Sequence, residues 1–193
     1  MKKLIAMLLA LTCVFGLVAC GGNATNNNET PETTVEVIKP ASALEVLEKT
    51  WAAVEEDSKF PVMGGDFENL VDGAPGNYSL TDEGLSSTLL IPEAEIANVD
   101  EAASLVHGMM LNNFTFGAYH VTGDVAAFVE AMHTAITGNR WMCGMPEKLI
   151  IAVVGGEYVV AGFGINDAVA PFEAAFTATY PDAEMKYNEA STG

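Results

Sequence analysis

From Phe114 to Tyr187 the apolar spacing switches between two and 3.6 residues, and this succession constrains the fold more than any other feature. Phe114, Phe116, Ala118 and His120 alternate with Thr115, Gly117, Tyr119 and Val121, which predicts a strand. Asp124 is placed to cap a helix whose buried stripe is Val125, Phe128, Val129, Met132 and Ile136, with Gly138 as its stop. Leu149–Val154 and Tyr158–Phe163 are β-rich runs joined by Gly155-Gly156, the composition of a tight primed turn that needs positive φ. Asn166 or Asp167 then caps a helix through Val169, Phe172, Phe176 and Tyr180, with Pro171 expected in its first turn. Pro181-Asp182 ends that helix, and Glu184–Tyr187 reads as a last strand.

Strand, helix, strand, strand, helix, strand is an α+β order. It is the split βαβ arrangement of ferredoxin-like folds, a βαββαβ antiparallel sheet with both helices on one face. N-terminal helices are expected ahead of it. Ser42-Ala43-Leu44-Glu45 has the spacing of a capping box, and Leu44, Leu47, Trp51 and Val54 follow at helical intervals. Residues 59–84 carry two turns, Gly64-Gly65 and Ala74-Pro75-Gly76, between short apolar pieces. Leu89-Leu90-Ile91 is expected as a short strand stopped by Pro92. Asn98 or Asp100 is expected to cap a second helix reaching Leu111, with Ala102, Leu105, Val106 and Met109 on one face.

The N-terminus has a different character. Lys2 and Lys3 precede an apolar run from Leu4 to Phe15, and small residues lead to a cysteine in Leu17-Val18-Ala19-Cys20. That order is an export signal. Its ending resembles the lipobox of bacterial lipoproteins. The resemblance implies a diacylglycerol on Cys20, cleavage just before it, and a protein held at the cell membrane facing the extracytoplasmic side. An uncut signal anchor is the alternative, but no positive stop-transfer flank follows. Two acyl chains anchor stably where one binds only marginally. The expected organisation is a signal peptide over 1–19, the lipidated Cys20 with a polar tether over 20–41, and one domain over 42–193. Gly21–Pro40, rich in Asn, Thr, Glu and Pro, lacks the large apolar side chains needed to offset chain entropy.

All 26 acidic residues follow the signal, whereas Lys2 and Lys3 leave with it, so the mature chain has 26 acids against 6 bases, a net charge of −20. Such a chain is repelled by nucleic acid and by anionic headgroups, so the membrane is reached through the lipid. Cys13 lies in the signal and Cys20 carries lipid, leaving Cys143 alone in the domain with no intramolecular disulfide partner.

Val99–Tyr187 also resembles an uncharacterised domain family of Gram-positive lipoproteins. The shared features are the lipobox, the polar tether and a helix ending in the turn Met109-Met110-Leu111-Asn112. The strand Phe114–Val121, the helix Asp124–Gly138 and the strand Tyr158–Phe163 after the Gly-Gly turn continue the likeness. It covers about half the chain and implies no catalytic residue.

Trp141-Met142-Cys143-Gly144-Met145-Pro146 has the look of a dithiol redox site but lacks a resolving cysteine. Cys143 is expected to be a buried small hydrophobe, slow to label in the native state. Met142, Cys143 and Met145 are the candidates for soft-metal binding, since Cu(I) prefers thiolate and thioether ligands. His107, His120 and His133 show no close-spaced pair, so no resident metal or cofactor is expected. Gly162-Phe163-Gly164 lacks the third glycine of a dinucleotide loop and has Asp167 there, which repels a pyrophosphate. Neither Gly-x-Ser-x-Gly nor His-Glu-x-x-His occurs. The expected function is a non-enzymatic binding or interaction domain with a protein or small-molecule partner. The alternatives are a small-molecule or peptide-binding component of a transporter and a copper chaperone.

Overall fold

A computed structural model describes residues 39–191. The expected signal peptide, Cys20 and the expected tether up to residue 38 lie outside the described residues. The elements run as follows: α1 (Ala43–Ala53), β1 (Val62–Gly64), β2 (Val71–Asp72), β3 (Gly76–Asn77), α2 (Gly84–Ser87), β4 (Val99–His107), β5 (Phe114–Val121), α3 (Val125–Thr137), β6 (Lys148–Val154), β7 (Tyr158–Gly164), α4 (Asn166–Thr179) and β8 (Glu184–Ala190). Short 3₁₀ turns at Glu56–Ser58, Glu93–Asn98 and Leu111–Asn113 join them.

The class is α+β, and the eight strands form one antiparallel sheet. Its order is β2-β1-β4-β5-β7-β6-β8, and β3 pairs with β4 beside β1. A ferredoxin-like sheet would return its last strand to the side of its first. That side of β5 is taken by β4, so β8 closes the opposite edge against β6. The change also moves a helix. β5 and β7 run in opposite directions, yet the connections β5–α3–β6 and β7–α4–β8 step the same way across the sheet. Connections of one hand must then pass over opposite faces. Accordingly α4, with α1, packs on one face and α3 on the other. The expected placement of both helices on a single face is therefore corrected.

The expected helix over 98–111 is a strand from Val99 to His107, flanked by the turn Leu111–Asn113. Both faces of β4 are covered: Ala103 and Leu105 enter the α1/α4 core, and Ala102 enters the α3 core. A strand buried on both sides loses its polar alternation. Ala102, Leu105, Val106 and Met109 then mimic a helical stripe by coincidence. The shared helix ending at Met109–Asn112 falls with this correction. Leu89–Ile91 is not a strand; Leu89 and Ile91 are buried, and Leu90 takes a positive φ of 57°.

Other elements follow local chemistry closely. Ser42 Oγ accepts the Glu45 N–H (3.1 Å), and Glu45 reaches back to the Ala41 N–H (2.5 Å). Asp124 accepts the N–H groups of Ala126 and Ala127. Gly155 and Gly156 have φ of 59° and 81°, although the hairpin loop also includes Glu157. In α4, Pro171 lies beyond the first turn, and neither Asn166 nor Asp167 caps it. A carboxylate oxygen of Glu147 accepts the Asn166 N–H (2.8 Å) and takes that role from another loop. Lys39 pairs with Glu157 (2.7 Å) and Pro40 is buried, so the end of the expected tether lies against the β6–β7 hairpin.

The α1/α4 core is aromatic, with Phe116 and Phe172 rings 4.4 Å apart and Phe114 beside both. The opposite core is built from Phe128, Met132 and Tyr119 over Leu149, Ile151 and Val159.

Candidate functional site

At the β4 side of the sheet an apolar cleft of about 250 Å³ opens between the loop after β1 and the turn after β4. Met63, Tyr78 and Val106 form its floor, and Phe67, Leu70 and Met109 its rim. The rim is exposed: Phe67 keeps 77% of its surface accessible and Met109 81%. Val71, Met110, Leu111, Met142 and Met145 are also exposed, so eight of the nine large exposed hydrophobics among the described residues fall in or beside three loops. Large apolar surface of this kind marks interaction sites.

Each loop is held by its own polar anchor. Asp66, 3% exposed, accepts the N–H groups of Glu68, Asn69 and Ser79 and the Asn69 amide, all at 2.9–3.1 Å. Burial pushes its carboxyl upward, but the hydrogen bonds from Ser79 and Asn69 outweigh that and hold it below the ordinary carboxylate value. Gly65 has a φ of 81°, and a Cβ there would stand 2.1 Å from the Asn69 carbonyl oxygen. Gly64 and Gly76 touch backbone to backbone; a Cβ on Gly64 would lie 2.2 Å from the Gly76 nitrogen. The second loop turns on His107. Its Nδ1 accepts the N–H of Met109 (3.1 Å) and of Met110 (3.3 Å), and its ring stacks on Phe60. An imidazole accepting at Nδ1 carries its proton on Nε2. Tyr78, on the cleft floor, is pushed upward by burial and then by the nearby Asp82 charge.

The third loop is joined to the second. Asn112 Nδ2 donates to the carbonyl oxygens of Met142 (2.8 Å) and Gly144 (2.7 Å). Cys143 is exposed and has a φ of 63°, which corrects the expectation of a buried thiol. The cause is local. Met142 is 77% exposed and Met145 50%, since the segment bulges outward between α3 and β6 and only Trp141, against Phe163, and Pro146 turn inward. Met142, Cys143 and Met145 thus share one exposed loop.

The histidines stay apart. His107 ends β4, His120 on β5 faces Asp100 and Glu157, and His133 on α3 stacks on Tyr187 and meets Glu189. Among the described residues no group of three or more His, Cys, Asp or Glu is arranged to hold a metal ion, and no helix is long and apolar enough to cross a membrane.

The cleft residues were missed by periodicity because they belong to no periodic element. A signal was present, however: Gly108-Met109-Met110-Leu111-Asn112-Asn113 sets three large apolar residues between turn formers. A turn cannot bury three consecutive side chains. The chain matches no protein-family model, no curated protein and no solved structure, so its similarities add nothing to the geometry of the cleft.

Proposed function

We propose that the chain is an extracytoplasmic lipoprotein, anchored through Cys20, whose α+β domain is a non-enzymatic binding module. The observation that carries the binding reading is the apolar cleft with exposed Phe67, Leu70 and Met109 around it. Its polar groups are engaged in holding the loops: Asp66 is bonded on both oxygens, and His107 Nδ1 serves two amides. The anchoring reading rests on Lys2, Lys3 and Leu17–Cys20. Replacing Cys20 with Ala should release the protein from the membrane fraction or leave it uncut. A processed Cys20→Ala protein still in the membrane would refute the anchor. For the module, a photo-crosslinking residue at position 109 should capture a ligand or protein in the native envelope, whereas one at position 185 on β8 should not. Equal capture at both positions, or none at 109, would sink the binding reading.

A second reading, a carrier of Cu(I), gains support from the exposure of Met142, Cys143 and Met145 on one loop. Competition with a Cu(I)-selective chelator tests it. Unchanged affinity in Cys143→Ser would remove it.

A further inference from the structure

Charge around the cleft is unusually one-sided. Between Lys59 and Arg140 the chain has no Lys or Arg, while eleven Asp and Glu occur there. The first two cleft loops lie wholly inside this stretch. Glu68 and Asp72 are exposed between and beside Phe67, Leu70 and Val71, and Asp82 and Glu83 precede α2 nearby in the chain. Along these two loops the apolar contact residues are therefore interleaved with negative charge, and the loops carry no Lys or Arg of their own.

We propose that the cleft is a docking surface for a polypeptide segment of another protein that is both apolar and basic, an amphipathic stretch with Lys or Arg flanking its anchor side chains. This deepens the binding-module reading and rests on it. Three observations select the occupant. A cleft of about 250 Å³ is below the roughly 300–1,000 Å³ of pockets that enclose whole small ligands, but it accommodates anchor side chains. Met63 on the floor and Met109 on the rim are unbranched and polarizable, and such side chains adapt to apolar partners of varied shape. The acidic border attracts a cationic partner and repels both an anionic lipid surface and a second copy of this chain, which would bring the same charge.

The test uses the full lipidated protein in phosphatidylcholine nanodiscs, with methionine methyl groups labelled for NMR and empty discs as the control. Three synthetic peptides are added: Leu/Lys at helical spacing, Leu/Glu at the same spacing, and Lys/Gln without apolar residues. The Leu/Lys peptide should shift the Met109 and Met110 methyls and leave Met185 unchanged. Phe67→Ser and Met109→Ser should each weaken that binding by about tenfold, the effect of losing one interface anchor. Both residues are exposed, so the variants retain the fold. Equal binding of Leu/Glu would overturn the charge assignment while leaving the binding module intact. Equal binding of Lys/Gln would show charge attraction without the cleft. If Leu/Lys binds without moving Met109, or no peptide binds, the docking assignment fails. Concentration-dependent Met109 shifts in the protein alone, with a dimer in sedimentation, would instead name a second copy as the occupant.

Discussion

The half from Phe114 to Ala190 and the segment from Phe60 to Leu111 are stabilised by different means. In the first, β5, β6 and β7 pair along their lengths and bury aromatic and branched side chains on both faces, with exposed β8 closing the edge. In the second, β4 alone is long and covered on both faces; β1, β2 and β3 contain only two or three residues each, and the loops beside these short strands and after β4 depend on Asp66, on touching glycines and on one imidazole. Distributed packing tolerates little exposed apolar surface. Point anchors permit it, because a loop fixed by its backbone can leave its side chains outward.

The largest effect that could break this contrast is expected in the packed half. Phe116 is fully buried between Phe114 and Phe172, so Phe116→Ala should lower unfolding free energy by about 3–5 kcal/mol in denaturant titration. A cost below that of any loop variant would deny that packing dominates there. Asp66→Ala comes next. It removes a charged acceptor of four donors, and hydrogen bonds to charged groups contribute about 1.5–3 kcal/mol. Hydrogen exchange should accelerate at Asn69 and Ser79 while β5 to β7 remain protected. Acceleration everywhere would show that the two regions are not separable.

These two regions were also unequally legible in the sequence. β5, α3 and the β6–β7 pair lie where their periodicities place them. β4 was obscured because, buried on both faces like β5 to β7, it lacks their aromatic and branched runs, and its Ala102, Leu105 and Val106 fall at helical spacing. The same misreading hid the topology, since with β4 seen as a helix the edge of β5 looked free for the last strand. Cys143 was misjudged from apolar neighbours that themselves face outward. The cleft depends on contacts between residues far apart in the chain, such as Ser104 Oγ donating to the Gly65 carbonyl (3.2 Å), which spacing rules do not encode.

A smaller, pH-dependent effect belongs to the packed half. Burial lowers the His120 pKa, but the bond to Asp100 and the charges of Asp100, Glu157 and Glu101 raise it further, leaving it above its ordinary 6.5. The protonated ring therefore stabilises the fold below pH 6.5, and that contribution is lost as pH rises through the raised value. The stability difference between wild type and His120→Gln should be larger at pH 5.5 than at pH 8 in thermal melts. A difference independent of pH would remove the ion pair. The smallest effect is expected on the cleft rim. Met109→Ser should change stability by no more than about 0.5 kcal/mol in the same melts, the range for exposed positions. A larger loss would mean that Met109 packs as core and does not serve as contact surface.

The interleaved order β5-β7-β6-β8 has a kinetic consequence. The hairpins β4–β5 and β6–β7 close over short loops, but Phe114 must find Gly164 and Lys148 must find Ala190 across long intervening chain. In each crossover the strand lying between the two ends belongs to the other crossover: β7 separates β5 from β6, and β6 separates β7 from β8. Neither unit can finish its hydrogen bonding while the other is open. Both crossovers therefore share the β6–β7 hairpin, which carries one strand of each, and neither is complete until that hairpin is in place.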